Sequence, residues 1–313
     1  QKKFFFFFMS VVNDITEITV RTKDETFTLI RGEEQLVLKE KHNYPVAVNK
    51  VRNLLRGVAD LTILEAKTSK PALYSKIGVG DVSEEGVNST LVTFKKAENE
   101  TVVASLIVGN ERTAKTDSTR QEIYVRKPDE KQAWLTLGQL PVEKTITDWL
   151  DEQIVNIDKD RIRQVSITHP EGDSVLIFKN TPDDDEFELQ DLPENAEIES
   201  PYTLRSIASS LANLNLDDVT VASEMEFDDK PNTRAVFTTF DGLEVTVTTR
   251  EKEGKHYAKF VAAFNPDAVW VEPPKTEDET ASSEQTQPKN TEKKSPKNQR
   301  RYQKAGAELK RQI

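Results

Sequence analysis

The feature that most constrains this chain is one amphipathic helix pattern written twice, each time among the same short strands. In YPVAVNKVRNLLRGVADL (44–61), Val51, Leu54, Leu55, Val58 and Leu61 recur at steps of three and four, which places them on one face. In PYTLRSIASSLANL (201–214), Leu204, Ile207, Leu211 and Leu214 do the same, and each copy is led by a proline. Before the first helix come ITEITV (15–20), TFTLI (26–30) and QLVL (35–38), alternating or apolar runs that read as strands. Before the second come IRQVSI (162–167), VLIF (175–178) and FEL (187–189). Ile18 and Val20 map onto Val165 and Ile167 at an offset of 147, and the helices map at 153, a difference that one loop insertion accounts for.

Both halves continue alike. TILEA (62–66) corresponds to VTVA (219–222), STLVTF (89–94) to RAVFTTF (234–240), and TVVASLIV (101–108) to LEVTVTT (243–249), with a tight turn at Asp241-Gly242. Only the first half carries EIYVRKPDEKQAWLTL (122–137), read as an extra hairpin, and TITDWLDEQI (145–154), read as a short helix with Trp149 as a core anchor. Agreement of element order and helix register argues for duplication. The fold class expected is therefore α+β: two related units, each a mostly antiparallel sheet with one packed amphipathic helix, plus a disordered C-terminal tail. The expected division is 1–14 as an apolar stub, 15–158 as the first unit, 159–266 as the second, shorter unit, and 267–313 as the tail.

Composition narrows the function classes. The 313 residues carry 43 Lys+Arg against 54 Asp+Glu, and a net charge of −11 repels phosphate backbones, which counts against nucleic-acid binding. The absence of Cys excludes disulfides, zinc–thiolate sites and thiol catalysis, and leaves the compartment open. From Glu272 the segment EPPKTEDETASSEQTQP is acidic and without core periodicity, which reads as disorder, and 289–313 is basic and reads as a solvated helix or, as the sharper alternative, a segment attracted to an anionic partner or lipid surface. The opening QKKFFFFFMS lacks an initiator Met and reads as a fragment or a processed form. Its apolar run of six is far short of the roughly 20 residues of a spanning helix. It either docks on the core or is the outer end of an upstream anchor.

Motifs for chemistry are sparse. His42, His169 and His256 lie in or beside turns with no second ligand at a useful spacing, so they read as isolated surface residues. Asp183-Asp184-Asp185 has neither the Gly nor the distal Glu of a calcium loop and reads as an acidic turn. Gly78-Val79-Gly80 lacks the third glycine of a dinucleotide site. No nucleophile elbow, P-loop or HExxH is present. Catalytic, metal and cofactor-binding residues are thus expected to be none, and the chain is expected not to be an enzyme. The one candidate surface is Tyr124, Arg126 and Trp134, which would share one face of the hairpin. It reads as cross-strand stabilisation or as a peptide- or glycan-contacting patch.

YPVAVNKVRNLL, ILEAKTSKPALYSKIGVGD, ASLIVGN, IYVRKPDEKQAWL and DWLDEQI, in that order, resemble the bacterial domain-of-unknown-function family numbered 4340; LRSIASSLANLNLDDV and TTFDGLEV fit its second half. The resemblance spans roughly residues 10 to 265. It implies a single-pass, periplasm-facing protein of the bacterial inner membrane, often encoded beside an ABC transporter of the gliding-motility type, and it brings no catalytic residue or cofactor. Members usually begin with an anchoring helix and end with an aromatic Gly-Trp-x-Tyr segment, so both ends here look clipped, which favours the anchor reading of the Phe run. The function expected is a non-enzymatic, envelope-facing accessory protein, with an ABC transporter permease or an associated envelope protein as partner and the membrane reached through an upstream helix. The alternatives are a hydrolase or transferase acting on envelope polymers, and a passive scaffold.

Overall fold

The computed structural model describes residues 2–97, 101–115, 117–191, 200–227 and 232–273. Of the tail expected at 267–313, residues 274 onward, with the basic segment, lie outside the described residues. The chain forms two compact units: residues 1–152 with 216–220, and residues 153–215 with 221 onward. The first boundary falls at Glu152, ahead of the expected limit at 158. Residues 216–220 belong to the first unit, where the Leu216 amide donates to the Glu152 carbonyl at 2.8 Å. Every strand pairing among the described residues is antiparallel.

The first unit contains α1 (Phe8–Val11), β1 (Ile15–Arg21), β2 (Thr26–Arg31), β3 (Leu36–Leu38), β4 (Tyr44–Pro45), α2 (Val48–Asp60) and β5 (Thr62–Thr68). It continues with α3 (Tyr74–Ile77), β6 (Thr90–Lys96), β7 (Thr101–Thr113), β8 (Gln121–Arg126) and β9 (Ala133–Leu137). Its sheet runs β4-β3-β2-β1-β6-β7-β8-β9-β5. Alternation sends Ile18, Val20, Phe27, Leu29, Val92, Phe94, Leu106, Ile123 and Val125 to one face, where Val51, Leu54 and Val58 of α2 complete the core. Tyr74, Val79, Ile107 and Ala133 form a smaller core with Tyr124.

The second unit contains β10 (Gln153–Val155), β11 (Ile162–Thr168), β12 (Ser174–Phe178), β13 (Glu188–Leu189), α4 (Pro201–Ala208) and β14 (Leu214–Asn215). It ends with β15 (Thr233–Thr239), β16 (Leu243–Lys252) and β17 (Lys255–Phe264). Its main sheet runs β13-β12-β11-β15-β16-β17, while β10 and β14 pair separately. Leu204, Ile207, Ala208 and Leu211 pack with Val165, Ile167, Ile177, Phe237 and Val247.

The strand orders repeat: β3-β2-β1-β6-β7-β8 in one unit is β13-β12-β11-β15-β16-β17 in the other. Even a defect repeats. The register slips between Ile15 and Glu17 where β1 meets β6, and between Ile162 and Gln164 where β11 meets β15, both at the offset of 147. A shared bulge is a specific backbone feature and supports duplication beyond element order. A single loop insertion is not what separates the offsets. Val20 pairs with Phe27 and Ile167 with Val175, whereas Leu29 pairs with Leu38 and Ile177 with Leu189, so the offset grows to 148 at the second strand and 151 at the third. The helix starts, Val48 and Pro201, then stand 153 apart.

Several expectations are corrected. The two prolines are not equivalent: Pro45 lies in β4, and Pro201 opens α4, where its fixed φ and missing N–H are tolerated. VTVA is not a strand; residues 222–225 form a 3₁₀ turn, and β5 has only the two-residue β14 as its sequel. The hairpin of 122–137 forms, but β8 takes the place that β17 takes in the second unit, so the strands that the first sheet adds are β4 at one edge and β9 and β5 at the other. TITDWLDEQI gives a three-residue 3₁₀ turn, Thr147–Trp149, and β10 rather than an α-helix. Three successive i→i+3 bonds from Asp148, Trp149 and Leu150 tighten it, and Trp149 is fully buried with its indole N–H on the Glu143 carbonyl at 3.0 Å. Residues beyond 266 still belong to the second unit: the Trp270 amide bonds the Phe240 carbonyl at 2.8 Å and the two rings meet edge to face.

The Phe run is not one continuous helix. Phe4 and Phe8 enter the first core, Phe8 against Phe94 with ring centroids 5.1 Å apart, and the Phe4 amide donates to the Leu61 carbonyl at 2.8 Å. Phe6 and Phe7 are left 75% and 73% exposed, and Met9 is exposed with them. Among the described residues no helix is long and apolar enough to cross a membrane.

Candidate functional site

The expected patch does not assemble. In an antiparallel ladder, paired residues share a face, and a shift of one residue moves a side chain to the other face. Trp134 pairs with Val125, while Tyr124 pairs with Leu135 and Arg126 with Ala133. Trp134 therefore packs on the side of Ile123 and Val125 in the first core, opposite Tyr124 and Arg126. Tyr124 lies under the Arg112 guanidinium, 5.6 Å from its ring centroid. Arg112 in turn bonds the buried Glu122 at 2.7 Å, and that hydrogen bond holds its pKa above the ordinary value.

Arg126 is 4% exposed and faces inward. Its Nε donates to the Val79 carbonyl at 3.0 Å, Nη1 to the Pro128 and Glu130 carbonyls at 3.3 and 3.2 Å, and Nη2 to Asp81 Oδ1 at 2.7 Å. The guanidinium stands 4.5 Å from the centroid of Tyr74. These contacts tie the segment after α3 to the sheet. That segment holds the Gly78-Val79-Gly80 stretch, in which Gly78 (φ +70°) ends α3 in the left-handed region and a Cβ there would meet Asn110 Oδ1 at 2.5 Å. Arg126 is thus a tie within the fold, with little surface to offer a partner.

A concave surface of the first unit with a largely apolar lining lies elsewhere. A groove of about 540 Å³ runs beside α2. The buried Val46 and Val51, the half-buried Leu55, and the exposed Met9 and Val48 give it an apolar lining. Arg52 and Arg56, one helical turn apart, and Glu34 are its charged lining. Val48, Val51, Arg52, Leu55 and Arg56 follow the i, i+3, i+4, i+7, i+8 spacing, so one stripe of α2 supplies most of a mixed apolar and basic wall. Sequence reasoning placed Leu55 in the core stripe and passed over Val48, Arg52, Arg56 and Met9. The available signal was the extension of that stripe one turn N-terminal of Val51.

The groove holds one carboxylate, Glu34, and no histidine, so it offers no pair of groups for general acid–base work. Among the described residues no three His, Asp or Glu side chains converge as a metal site. His42 sits in the left-handed region after a 3₁₀ turn, His169 in the β11–β12 turn and His256 on β17. Asp184 closes its own turn: it accepts from the Asn180 and Thr181 amides, both at 2.9 Å, and from the Thr181 hydroxyl at 2.9 Å. Those bonds, led by the Thr181 amide, hold its carboxyl below the ordinary range.

No curated protein and no solved structure matches the chain. Residues 37–235, from β3 to the start of β15, match the family described as a domain of unknown function, DUF4340. The match includes α2 and the Arg126 tie, takes in part of each repeat, and covers well over half the chain; the protein belongs to the DUF4340 family.

Proposed function

We propose that this protein is a non-enzymatic accessory protein of the bacterial envelope, facing the periplasm at the inner membrane, and that the groove beside α2 holds a segment of an ABC transporter permease. The observation that carries this reading is the groove's make-up: a largely apolar lining together with two arginines one helical turn apart. An amphipathic helical segment with an apolar stripe and carboxylates along its edge matches it in shape and charge. Exposed Phe6 and Phe7, on the segment that also gives the groove Met9, are the kind of side chains that settle at a lipid interface. Attachment at that surface raises the effective concentration of the groove near membrane partners, so a modest contact suffices. The transporter partner rests on the gliding-motility context that the family resemblance implies.

The test is co-purification in mild detergent from membranes of cells that express the full-length gene product. The native protein is expected to fractionate with the inner membrane and to carry the permease encoded beside it. Val48→Glu combined with Arg52→Glu is expected to reduce that recovery by about tenfold or more, the change that loss of roughly 1.4 kcal/mol of contact energy gives. Recovery that the double variant leaves unchanged, or a full-length protein found in the soluble fraction, contradicts the reading.

A further inference from the structure

Among the described residues, the sheet of the second unit ends in a strand whose outer edge is bare, and its counterpart in the first unit shows what such an edge accepts. β8 and β17 occupy the same place in the repeat, next to β7 and β16. On β8 a further antiparallel strand, β9, pairs along five residues. On β17, ten residues long, pairing is to β16 alone, and among the described residues nothing bonds its outer side. A long strand edge with free amides and carbonyls is a template for another strand.

The groups that point outward can be named. The Glu253-Gly254 turn, with both residues at positive φ, makes Lys252 and Lys255 the first hydrogen-bonded pair of a two-residue hairpin. Alternation then directs the backbone groups of residues 255, 257, 259, 261 and 263 to β16. The bond from the Asn265 amide to the Gly242 carbonyl at 2.7 Å fits the same phase. The outward groups belong to His256, Ala258, Phe260, Ala262 and Phe264.

We propose that this edge pairs with β17 of a second copy of the chain, antiparallel and centred on Phe260. Charge placement selects this pairing. Lys255, His256 and Lys259 lie in the first half of the strand, and Val261, Ala262, Ala263 and Phe264 in the second. Parallel pairing of two copies sets lysine beside lysine. Antiparallel pairing must match outward group with outward group, which leaves two registers of near-complete overlap. Centring on Lys259 places two lysines directly opposite each other, a destabilising pair. Centring on Phe260 sets Lys259 opposite Val261, Tyr257 opposite Ala263, His256 opposite Phe264, Ala258 opposite Ala262 and the two Phe260 rings together. No like charges meet. Val261 and Phe264, 53% and 68% exposed in the single chain, gain partners. The two six-stranded sheets then form one twelve-stranded sheet.

The test is the oligomeric state of the chain by sedimentation equilibrium from about 1 to about 200 μM, a range that spans micromolar dissociation constants. A monomer–dimer equilibrium is expected. Ala262→Pro removes an outward N–H and leaves the β16 ladder intact, so its thermal midpoint stays near that of the native chain. It deletes two symmetry-related hydrogen bonds, so dimerisation is expected to weaken by about 30-fold. As an independent readout, Lys259→Cys with Val261→Cys is expected to give an oxidised covalent dimer. Those positions face each other as a non-hydrogen-bonded pair, with Cα atoms about 4.5 Å apart, within disulfide reach. A chain that stays monomeric at the top of the range, a dimer that Ala262→Pro leaves intact, or a dimer without the cross-link overturns the proposal. So does a monomer whose β17 edge amides are protected from exchange by its own acidic segment 272–288.

Discussion

Replacing Arg126 by alanine separates a structural tie from a binding residue. The side chain is 4% exposed and supplies four hydrogen bonds, three of them to the carbonyls of Val79, Pro128 and Glu130. Asp81 is half-exposed, so solvent screens its ion pair and its loss alone is worth under about 1 kcal/mol. The carbonyls are another matter. The Val79 carbonyl is buried and loses a charged donor at a cost of about 1–3 kcal/mol, the Pro128 and Glu130 carbonyls are only partly buried and add less, and the side chain leaves a void over Tyr74. Arg126→Ala is therefore expected to destabilise the first unit by about 3–4 kcal/mol, a drop of roughly 6–15 °C in its midpoint. Arg126→Lys keeps the charge and loses the fork, and falls between. Thermal unfolding followed by Trp fluorescence reads this, because Trp134 and Trp149 both lie in the first unit. An Arg126→Ala protein within about 1 kcal/mol of native that nevertheless fails to bind its partner refutes the argument.

Phe8→Ala is expected to cost about 3–5 kcal/mol by emptying the pocket against Phe94, while Phe6→Ser with Phe7→Ser stays within about 0.5 kcal/mol in urea unfolding. Gly78→Ala forces a left-handed φ and a contact with Asn110, and is expected to lower stability by about 1–3 kcal/mol in the same assay. Asp184 has a folded pKa below its unfolded one, so its contribution is present above the unfolded value of about 4 and fades as pH falls through the folded value. Asp184→Ala should therefore show a lower urea midpoint than native near pH 7 and the same midpoint in strong acid.

Much of the fold was legible because periodicity is a local property. The stripe Val51, Leu54, Val58 and its copy Leu204, Ile207, Leu211 located both helices, and the alternation of Ile18 with Val20 and of Val165 with Ile167 located the central strands. Strand β17 went unread because KHYAKFVAAF is nearly continuous rather than alternating, although the Glu253-Gly254 turn marks its start. The Tyr124, Arg126 and Trp134 grouping failed for a related reason. Sequence spacing sets which residues of one strand share a face, but the register between strands is a tertiary property, and there Trp134 meets Val125. Likewise, nothing local announces that Leu55 lines a groove while Leu54 fills the core; the packing of Met9 and Leu36 nearby decides it.

The groove beside α2 is the surface proposed to meet a transporter. Site-specific photo-cross-linking in intact membranes tests this most directly, with a benzophenone amino acid placed at Val48 in the groove and, separately, at exposed Lys23 away from its lining. A permease adduct is expected from Val48 and none from Lys23. Adducts of equal yield from both positions, or none from Val48, contradict the proposal.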